Sequence, residues 1–526
     1  MAYSITNQCV GCDLCRPQCP TGAIKIDNGQ YWIDSTLCNN CEGFYPEPQC
    51  LLTCENDTPV PYQAKKGRYK ADVRPITSPE IFSNGVNSPF ASAIAIWELC
   101  NVLTQRRSLP WQQETDNNLY YKRSVKQGRN KIAFRVTDEA SLNAEAVLDG
   151  LDIRSACMHL IYAAYATNLE KPWEEEIIIN DRQIEEYLGL DKRKDLSKIA
   201  KLALIKELAQ QPCQIQVSLE WAQQGRVPGF SVEWSHLWHM QEIQHHFQED
   251  DMGCRHLVGL TFRVKAGKWS QHFLNQQGYK EGNSFYQYGS LPKSLLAAVM
   301  RLWQQHEGAV RMMLWLLFKT KMGLEQRITV PTLMRVAYGA DKIAQISGDR
   351  ESRKRLVRAF ENDLEALSHY GLIPIFDPLT YPTEIQPLWA RLQDIPDDAE
   401  SALEFWVNDG SKDRRLTDAS PRGKWSRLMN ARILYFELPE GWEHQAEKEK
   451  KKQRKVSKPH TVTSIADRMS LSSEQIHIAR KDLGLSQRKL AEMTGKSQSW
   501  IRDIERGRFK VKSEDLALLQ RALGQA

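Results

Sequence analysis

The first 54 residues contain two runs of closely spaced cysteines, the residues in this chain whose type and spacing point most directly to chemistry. The first run, CVGCDLCRPQCP, follows a C-x2-C-x2-C-x3-C-P pattern formed by Cys9, Cys12, Cys15 and Cys19. The second, CNNCEGFYPEPQCLLTC, follows C-x2-C-x8-C-x3-C and contains Cys38, Cys41, Cys50 and Cys54. Thiolates at this density bind metals, and the compressed first run is typical of a [4Fe–4S] cluster.

The spacing also predicts how the eight cysteines divide between two [4Fe–4S] clusters. Two-residue gaps let one loop wrap three thiolates around three irons, whereas the fourth cysteine of each run faces the other cluster. We therefore expect the first cluster to be bound by Cys9, Cys12, Cys15 and Cys54. The second should be bound by Cys38, Cys41, Cys50 and Cys19. Two structural zinc sites are the alternative, although zinc usually takes two separated C-x2-C pairs per ion.

The elements that must position these loops are short. Ala23–Ile26 and Tyr31–Asp34 flank an Asn-Gly pair at 28–29, which predicts a β-hairpin. Large apolar residues are few in this segment, the main ones being Ile5, Val10, Ile24, Ile26, Tyr31, Trp32 and Ile33. Because units of this size seldom fold on hydrophobic burial alone, we expect the clusters to form the core of residues 1–60, called the cluster lobe below. Loss of iron should then unfold the lobe.

The two cysteine runs and the hairpin resemble a bacterial two-cluster ferredoxin over roughly 55 residues. The resemblance implies an α+β fold around two clusters. Two positions depart from the usual pattern: the second run carries an eight-residue insert between Cys41 and Cys50, and Glu55 follows Cys54 where proline is usual. The insert changes the surroundings of one cluster.

Helical periodicity and capping residues predict four helices after residue 470. The first begins near Ser473 and ends at Gly484, and the next two are Gln487–Met493 and Gln498–Arg506, followed by Ser513–Leu523. Their shared apolar positions, expected to form one core, are Ile476, Ala479, Leu483, Leu490, Ala491, Ile501, Ile504, Leu516, Leu519 and Leu523.

The string LGLSQRKLAEMTGKSQSWIRDIERG resembles the phage-repressor (Cro/XRE-like) helix-turn-helix family, whose third helix enters the major groove of double-stranded DNA. The resemblance implies base contacts from Gln498, Ser499, Arg502 and Asp503. It implies phosphate contacts from Gln487, Ser497, Arg506 and Arg508. It also implies that Arg480 and Glu505 pair. A protein-interaction module with the same helical hairpin is the alternative.

Charge is concentrated at the C-terminal end of the chain. Residues 447–526 contain 19 Lys+Arg against 10 Asp+Glu, whereas the rest contains 51 against 55. This excess favours an anionic partner for the C-terminal end. The run EKEKKKQRK at 447–455 belongs to an expected basic linker, 443–470, that precedes a DNA-binding domain at 471–526.

The long middle of the chain lacks recognisable catalytic motifs. Residues 61–90 are expected to be a linker and residues 91–442 a mostly helical region, so the fold class predicted for the whole chain is multidomain and mainly α, with an all-α C-terminal domain. We find no glycine-rich phosphate loop, no H-E-x-x-H and no nucleophile motif, and therefore predict no catalytic residues and no enzyme activity.

Two stretches of the middle share an order of elements. Ile178–Leu190 and Ile328–Ala340 are each followed by a basic helix, Lys192–Leu208 and Arg350–Tyr370, and then by an apolar strand. This order occurs in winged helices, which leaves open tandem winged helices near 173–225 and 295–377. Two unrelated stretches of helical core are the alternative.

A ferredoxin-like lobe and a repressor-type helix-turn-helix on one chain resemble the cyanobacterial PatB/CnfR regulators, which activate nitrogen-fixation genes under low oxygen. The resemblance implies an oxygen- or redox-responsive activator that binds promoter DNA in the cytoplasm. RNA polymerase and a second copy of the chain are further expected partners, and a membrane is not. A secretory signal is not expected, since MAYSITNQCV lacks a basic region before an apolar core. The alternatives are an iron–sulfur electron-transfer component and a plasmid-type replication initiator with a ferredoxin lobe.

Overall fold

The computed structural model of this chain divides into two compact units, Met1–Gln445 and Ala446–Ala526. It describes residues 3–27, 29–61, 73–113, 118–125, 127–136, 144–249, 254–319, 328–346, 348–392, 395–411, 422–439, 441–442, 473–505 and 513–523. None of the helices in these ranges is long and apolar enough to cross a membrane. The expected division of the first unit into lobe, linker and middle domain stays a prediction.

The cluster lobe is built from two small antiparallel pairs and one short helix. Its elements are β1 (Tyr3–Ile5), β2 (Ile24–Asp27), β3 (Gln30–Ile33), α1 (Gln49–Thr53) and β4 (Pro59–Pro61). Strand β1 pairs with β4, and β2 pairs with β3 so that Ile24 lies opposite Ile33. The hairpin predicted from the Asn-Gly pair is therefore confirmed.

The middle of the chain contains both helices and strands, and more of its described residues are helical. The elements up to residue 210 are β5 (Asn87–Ala91), α2 (Ile94–Gln105), β6 (Gln112–Gln113), β7 (Leu119–Val125), β8 (Asn130–Val136), α3 (Ala144–Gly150), α4 (Ser155–Thr167), β9 (Ile177–Asn180), α5 (Asp181–Tyr187) and α6 (Lys198–Gln210). Those up to residue 302 are β10 (Ile215–Trp221), β11 (Phe230–His236), β12 (Trp238–Glu249), β13 (Arg255–Ala266), α7 (Trp269–Phe273), α8 (Gln276–Glu281), β14 (Tyr288–Pro292) and α9 (Lys293–Leu302). The last are α10 (Glu307–Lys319), β15 (Ile328–Thr329), α11 (Val330–Tyr338), α12 (Ala340–Ile346), α13 (Arg350–His369), β16 (Ile373–Phe376), α14 (Leu388–Leu392), α15 (Ala399–Gly410), α16 (Lys424–Leu428) and β17 (Arg432–Glu437).

Six of these elements, α4, β9, α5, α6, β12 and β13, form what we call the first module. Strand β13 pairs antiparallel with both β12 and β9, which gives the sheet order β12-β13-β9. Asn180 begins α5 with a capping box to Gln183. Ser197 caps α6 by accepting the Ala200 amide, which explains why this helix begins at Lys198 and not at Lys192 as expected.

The second module repeats this topology with α10, β15, α11, α13, β16 and β17. Strand β17 pairs with both β15 and β16 in the order β15-β17-β16. In each module the last strand therefore lies in the middle of the sheet, which is the strand order of a winged helix. Thr329 caps α11, and Asp349 caps α13 by accepting the amides of Glu351 and Ser352. Strands β12, β13 and β17 lie beyond the residue ranges 173–225 and 295–377 considered in the sequence. The apolar strand expected after Lys192–Leu208 is β10, which belongs to a different sheet.

The expectation of a mainly α chain is correct only in part. A five-stranded sheet in the order β11-β10-β8-β7-β6 and a β14-β5 pair accompany the two modules. Buried and part-buried residues alternate along β8 and β10, as strands with one covered face require. In the expected linker, residues 73–90 pack on the first module, since Arg74 forms a 2.7 Å ion pair with buried Asp181 and Ile81 is buried.

The C-terminal unit contains four helices, α17 (Ser473–Asp482), α18 (Gln487–Thr494), α19 (Gln498–Glu505) and α20 (Ser513–Ala522). Their core contains Ile476, Ala479, Leu490, Ala491, Ile501, Ile504, Leu519 and Leu523, as expected from the sequence. Leu483 is an error of that expectation, because it is 52% exposed. Helix α17 ends at Asp482, and the chain turns at Gly484 with a φ of 64°, so Leu483 leaves the apolar face. The side chain of Leu516 lies outside the described residues.

Candidate functional site

Four cysteines of the cluster lobe line one small cavity. They are Cys9, Cys12, Cys15 and Cys54. The first three lie in the loop between β1 and β2, and the fourth directly follows α1. Gly11, between two of these cysteines, has a φ of 72°, a left-handed conformation that glycine adopts without strain. The sharp turn brings the thiols of this loop to the same cavity.

A second small cavity is lined by the other four cysteines of the two runs, namely Cys19, Cys38, Cys41 and Cys50. Helix α1 serves both cavities because Cys50 lies inside it and Cys54 caps its end. Cys54 has an extended backbone, with φ −88° and ψ 111°, so it leaves the helix face that an i, i+4 pair would share. The structure thus groups the eight thiols as their spacing suggests, whereas their ligation of iron stays a prediction.

Hydrogen bonds to sulfur show that these sites suit thiolates. The Ala23 amide donates to Cys19 Sγ at 3.3 Å, and the Gln49 amide donates to Cys41 Sγ at 3.5 Å. Thr58 Oγ1 lies 3.2 Å from Cys54 Sγ. Although burial opposes it, the hydrogen bond from Thr21 and nearby amides lower the pKa of Cys19. Donors placed on sulfur favour the charged form that binds metal.

Two more deeply buried cysteines have raised thiol pKa values. Burial, together with a smaller effect of neighbouring cysteines, raises the pKa of Cys15 to about 11 and that of Cys50 to about 12. Holding these sulfurs as thiolates therefore requires positive charge inside the cavities, which bound iron supplies. Among the described residues, no three His, Cys, Asp or Glu side chains converge on one metal ion. A four-iron cluster contacts each thiolate through a separate iron, so its ligands need not converge on a point.

The lobe's own apolar core is smaller than its sequence suggests. Its buried members are Ile5, Cys15, Ala23, Ile24, Ile33 and Cys50. Of the residues expected to contribute, Val10 is 69% exposed, Ile26 is 47% exposed, and Trp32 belongs to the core of the middle region. Two of six buried side chains are candidate ligands, so the lobe depends heavily on whatever its cysteines bind.

Trp32 and Asp34 attach the lobe to the first module. The Trp32 ring packs against Phe247 and His245 of β12, with ring centroids 4.6 and 5.2 Å away. Lys206 of α6 donates to the buried Asp34 carboxylate at 2.7 Å. Burial works against the charged form of Asp34, but the hydrogen bonds from Lys206 and Thr36 lower its pKa overall. Sequence analysis missed this attachment, because nothing in the local pattern links residues so far apart in the chain.

The same segment of the lobe reaches the second cavity. Ile33, between Trp32 and Asp34, is one of the residues that line that cavity. The Cys38 amide donates to the Asp34 carbonyl at 3.0 Å. Movement of Cys38 would therefore shift Asp34 and disturb its ion pair with Lys206 of α6.

In the C-terminal unit, Glu505 joins three elements. Arg480 donates to Glu505 at 2.5 Å, Gln487 donates to it at 2.7 Å, and His477 lies 3.1 Å away. Although burial disfavours the charge, these hydrogen bonds and the Arg480 charge lower the pKa of Glu505 to about 2. The expected Arg480–Glu505 pair is confirmed. Gln487, an expected phosphate contact, has its amide on Glu505, and its role on DNA stays a prediction.

The expected base-contacting residues all lie on α19. Gln498, Ser499 and Arg502 are exposed, whereas Asp503 is half-buried with a carboxylate oxygen 3.5 Å from Arg502. Ser497 caps the helix by accepting the Trp500 amide. Lys496 forms a 2.7 Å ion pair with Asp515, which ties the turn before α19 to α20. Arg506 and Arg508, the other expected phosphate contacts, lie outside the described residues.

Replacing Arg502 with alanine tests the role of this helix face. If Arg502 contacts a base edge, the substitution should weaken binding about 5- to 150-fold, the effect of losing one good contact of about 1–3 kcal/mol. The measurement is fluorescence anisotropy with a duplex selected from a random pool by the unaltered protein. Arg521→Ala, an exposed change on α20, is the control. Equal affinities for the two variants would show that Arg502 does not contact a base.

Comparisons with known proteins match the two ends of the chain. Residues 476–525 match a helix-turn-helix family model, and residues 2–25 match a 4Fe-4S binding domain model. Over 66 residues the chain is 56% identical to a "Ferredoxin-like protein in nif region" from a Nostoc species, which is 12% of this chain and 57% of that protein. It is 40% identical over 57 residues to "Ferredoxin-2" of Chlorobaculum tepidum, covering 11% of this chain and 92% of that ferredoxin. The chain thus spans a little more than half of the Nostoc relative and nearly all of the shorter one.

Proposed function

The N-terminal segment of this chain belongs to the ferredoxin family, and from that premise we propose that the protein is a DNA-binding regulator whose activity depends on two [4Fe–4S] clusters. The observation that carries the proposal is a lobe with two cavities, each lined by four thiols, that packs on the first module. The same chain also contains a helix-turn-helix. We further propose that the protein works in the cytoplasm and has no catalytic role.

The proposed ligands are the cysteines that line each cavity. Cys9, Cys12, Cys15 and Cys54 would hold one cluster. Cys19, Cys38, Cys41 and Cys50 would hold the other. When bound, such a cluster supplies a one-electron redox centre that oxygen can degrade. The chain's own residues hold the two cysteine loops in place. Because the apolar core of the lobe is small, these loops stay ordered only while their cysteines are bound.

The signal would pass to the rest of the unit through β3 and the residues after it. Trp32 and Asp34 remain on β12 and α6 only while the cysteine loops on either side of the hairpin hold their positions. Loosening of the loop at Cys38 removes its amide hydrogen bond to Asp34 and so weakens the contact with Lys206. Because Asp34 is buried, displacement of Lys206 would leave a desolvated carboxylate without its cation, which is costly.

We propose that the regulated genes are those of nitrogen fixation, activated when oxygen is low. The resemblance of the two ends of the chain to PatB/CnfR regulators supports this, as does the phrase "in nif region" in the names of several similar proteins. Contact with RNA polymerase and assembly with a second copy belong to the same proposal. The presence of two modules with the winged-helix strand order favours one competing function, replication initiation. Footprints on iterated repeats at an origin would support it, and footprints at promoters would not.

Anaerobic purification followed by controlled exposure to air tests the proposal. We expect about eight irons and eight sulfides per chain, as two cubanes require. After exposure to air, iron should be lost, promoter binding should weaken, and amide exchange should accelerate in β3 and α6. The exchange measurement reports on the lobe independently of DNA binding.

A sample treated identically under argon is the control. Two zinc ions per chain in place of iron would contradict the cluster assignment. Loss of iron without any change in exchange or in promoter binding would show that the clusters do not regulate this protein.

A further inference from the structure

Helix α13 of the second module carries the densest group of cations among the described residues. Its first nine residues contain Arg350, Arg353, Lys354, Arg355 and Arg358, against one acidic residue, Glu351. Glu351 is paired with Lys354 at 2.7 Å, and the cap residue Asp349 accepts two backbone amides. The remaining arginines therefore give the start of this helix a strong local positive charge.

The cations lie on the face of α13 that the module leaves exposed. Leu356, Val357 and Phe360 are buried and define the opposite face. Arg355, Arg358 and Asn362 follow one another at three- and four-residue spacing, so they share one face, and all three are exposed. Within the described part of the chain, neither Arg355 nor Arg358 forms an ion pair or a side-chain hydrogen bond. After the hydrogen bonds from Ser352, the charge of Arg355 also contributes to the lowered pKa of Asp349, so Arg355 is offset in part. Holding the other arginine charges together costs electrostatic energy, which an anionic partner would relieve.

The first module shows how cations of the corresponding helix are paired within the protein. Helix α6 occupies the place of α13 in the shared topology, between the module's first and second strands. Two of its lysines are already paired: Lys198 with Asp181 at 2.7 Å, and Lys206 with Asp34 of the cluster lobe at 2.7 Å. The lobe and the module itself thus pair these two lysines, whereas the described residues form no ion pair with Arg355 or Arg358.

We propose that the second module binds double-stranded DNA through the exposed face of α13, as a contact surface additional to the C-terminal helix-turn-helix. In a winged helix, the helix before the second strand is the element that fits a major groove, and α13 holds that position before β16. Arginines alongside an asparagine are suited to phosphates and base edges. Arg355 and Arg358 neutralise phosphates, and Asn362 lies further along the same face. The proposal concerns a separate surface and does not depend on the clusters.

The salt dependence of DNA binding by the full chain tests this surface. The variants are Arg355→Ala/Arg358→Ala and, as a matched control, Arg129→Ala/Lys280→Ala, which removes two exposed cations elsewhere. The probe is a 40-bp duplex of arbitrary sequence, roughly four helical turns long. Losing two phosphate contacts should reduce the slope of log K against log salt by about 1.8, and the control should leave it unchanged. Bound DNA should also slow amide exchange in residues 350–362 of the unaltered protein.

Unchanged slopes in both variants, with circular dichroism and iron content also unchanged, would overturn the proposal. So would binding of Arg355 and Arg358 to anionic lipid vesicles or to an acidic protein without any effect on DNA. The outcome is separate from that of the proposed function. If the Arg355/Arg358 variant lowers the slope but exposure to air has no effect, the α13 surface is supported and cluster regulation is rejected. If exposure to air has an effect but the slope is unchanged, only the α13 surface is rejected.

Discussion

Replacing Cys9 or Cys38 with serine is expected to reduce activation of the target promoter in cells to background. Each residue lines a different cavity, and a serine hydroxyl is a poor substitute for a thiolate on iron. Because the lobe has only a few buried apolar residues, loss of one cluster should unfold most of it. The measurements are a promoter–reporter assay under low oxygen and iron counting on the anaerobically purified variants.

The matched control is Cys213→Ser, a cysteine outside both cavities. Cys213 is buried and its sulfur donates to the Ala209 carbonyl at 3.7 Å, a hydrogen bond that serine can keep. This variant should retain iron and activation. The C-terminal unit of the Cys9 and Cys38 variants should still bind DNA, since its core is its own. Full activation by either ligand variant would eliminate the sensing role of that cluster.

Replacing Glu505 with alanine is expected to unfold most of the C-terminal unit. The substitution leaves the buried Arg480 guanidinium without its carboxylate and Gln487 without its acceptor. Breaking one side of a buried pair costs about 3–5 kcal/mol, which is comparable to the whole stability of a domain this small. Amide exchange of residues 473–505 in the full chain measures the effect. The control replaces both charges, Arg480→Met with Glu505→Leu, and should restore much of the protection.

The same carboxylate predicts how the unit responds to acid. Its pKa of about 2 in the folded protein lies below the ordinary value of 4.5, so ionised Glu505 stabilises the fold. The stabilisation, on the order of 3 kcal/mol, is complete above pH 4.5 and is lost as the pH falls towards 2. Exchange of residues 473–505, corrected for its intrinsic pH dependence, should accelerate over that interval. The doubly substituted control should lose this acid dependence, and if it does not, another group is responsible.

Features encoded by neighbouring residues could be predicted from the sequence. The thiol grouping follows from gaps of two and three residues, and the helices of the C-terminal unit follow from serine caps and glycine turns. One helix was predicted one residue too long: Leu483 was expected to be buried, but the helix ends at Asp482.

Features that depend on distant pairing could not be predicted in the same way. Strand β13 lies between β9 and β12, and a single sequence does not reveal which strands will become neighbours in a sheet. The contacts of Trp32 with β12 and of Asp34 with Lys206 join the lobe to residues about two hundred positions away. Trp32 therefore appeared to belong to the lobe, although it completes another core.

That tryptophan bears on how the protein can be dissected genetically. Cutting the chain after residue 60 would strip a ring from the interior of what remains and leave the Lys206 ammonium without its carboxylate. Loss of activity in a truncated chain would therefore report misfolding of the remaining residues and not a response to oxygen. The rest of the first unit therefore needs the lobe to complete its core. Exchanging the lobe between homologues would require exchanging the surface that it contacts as well.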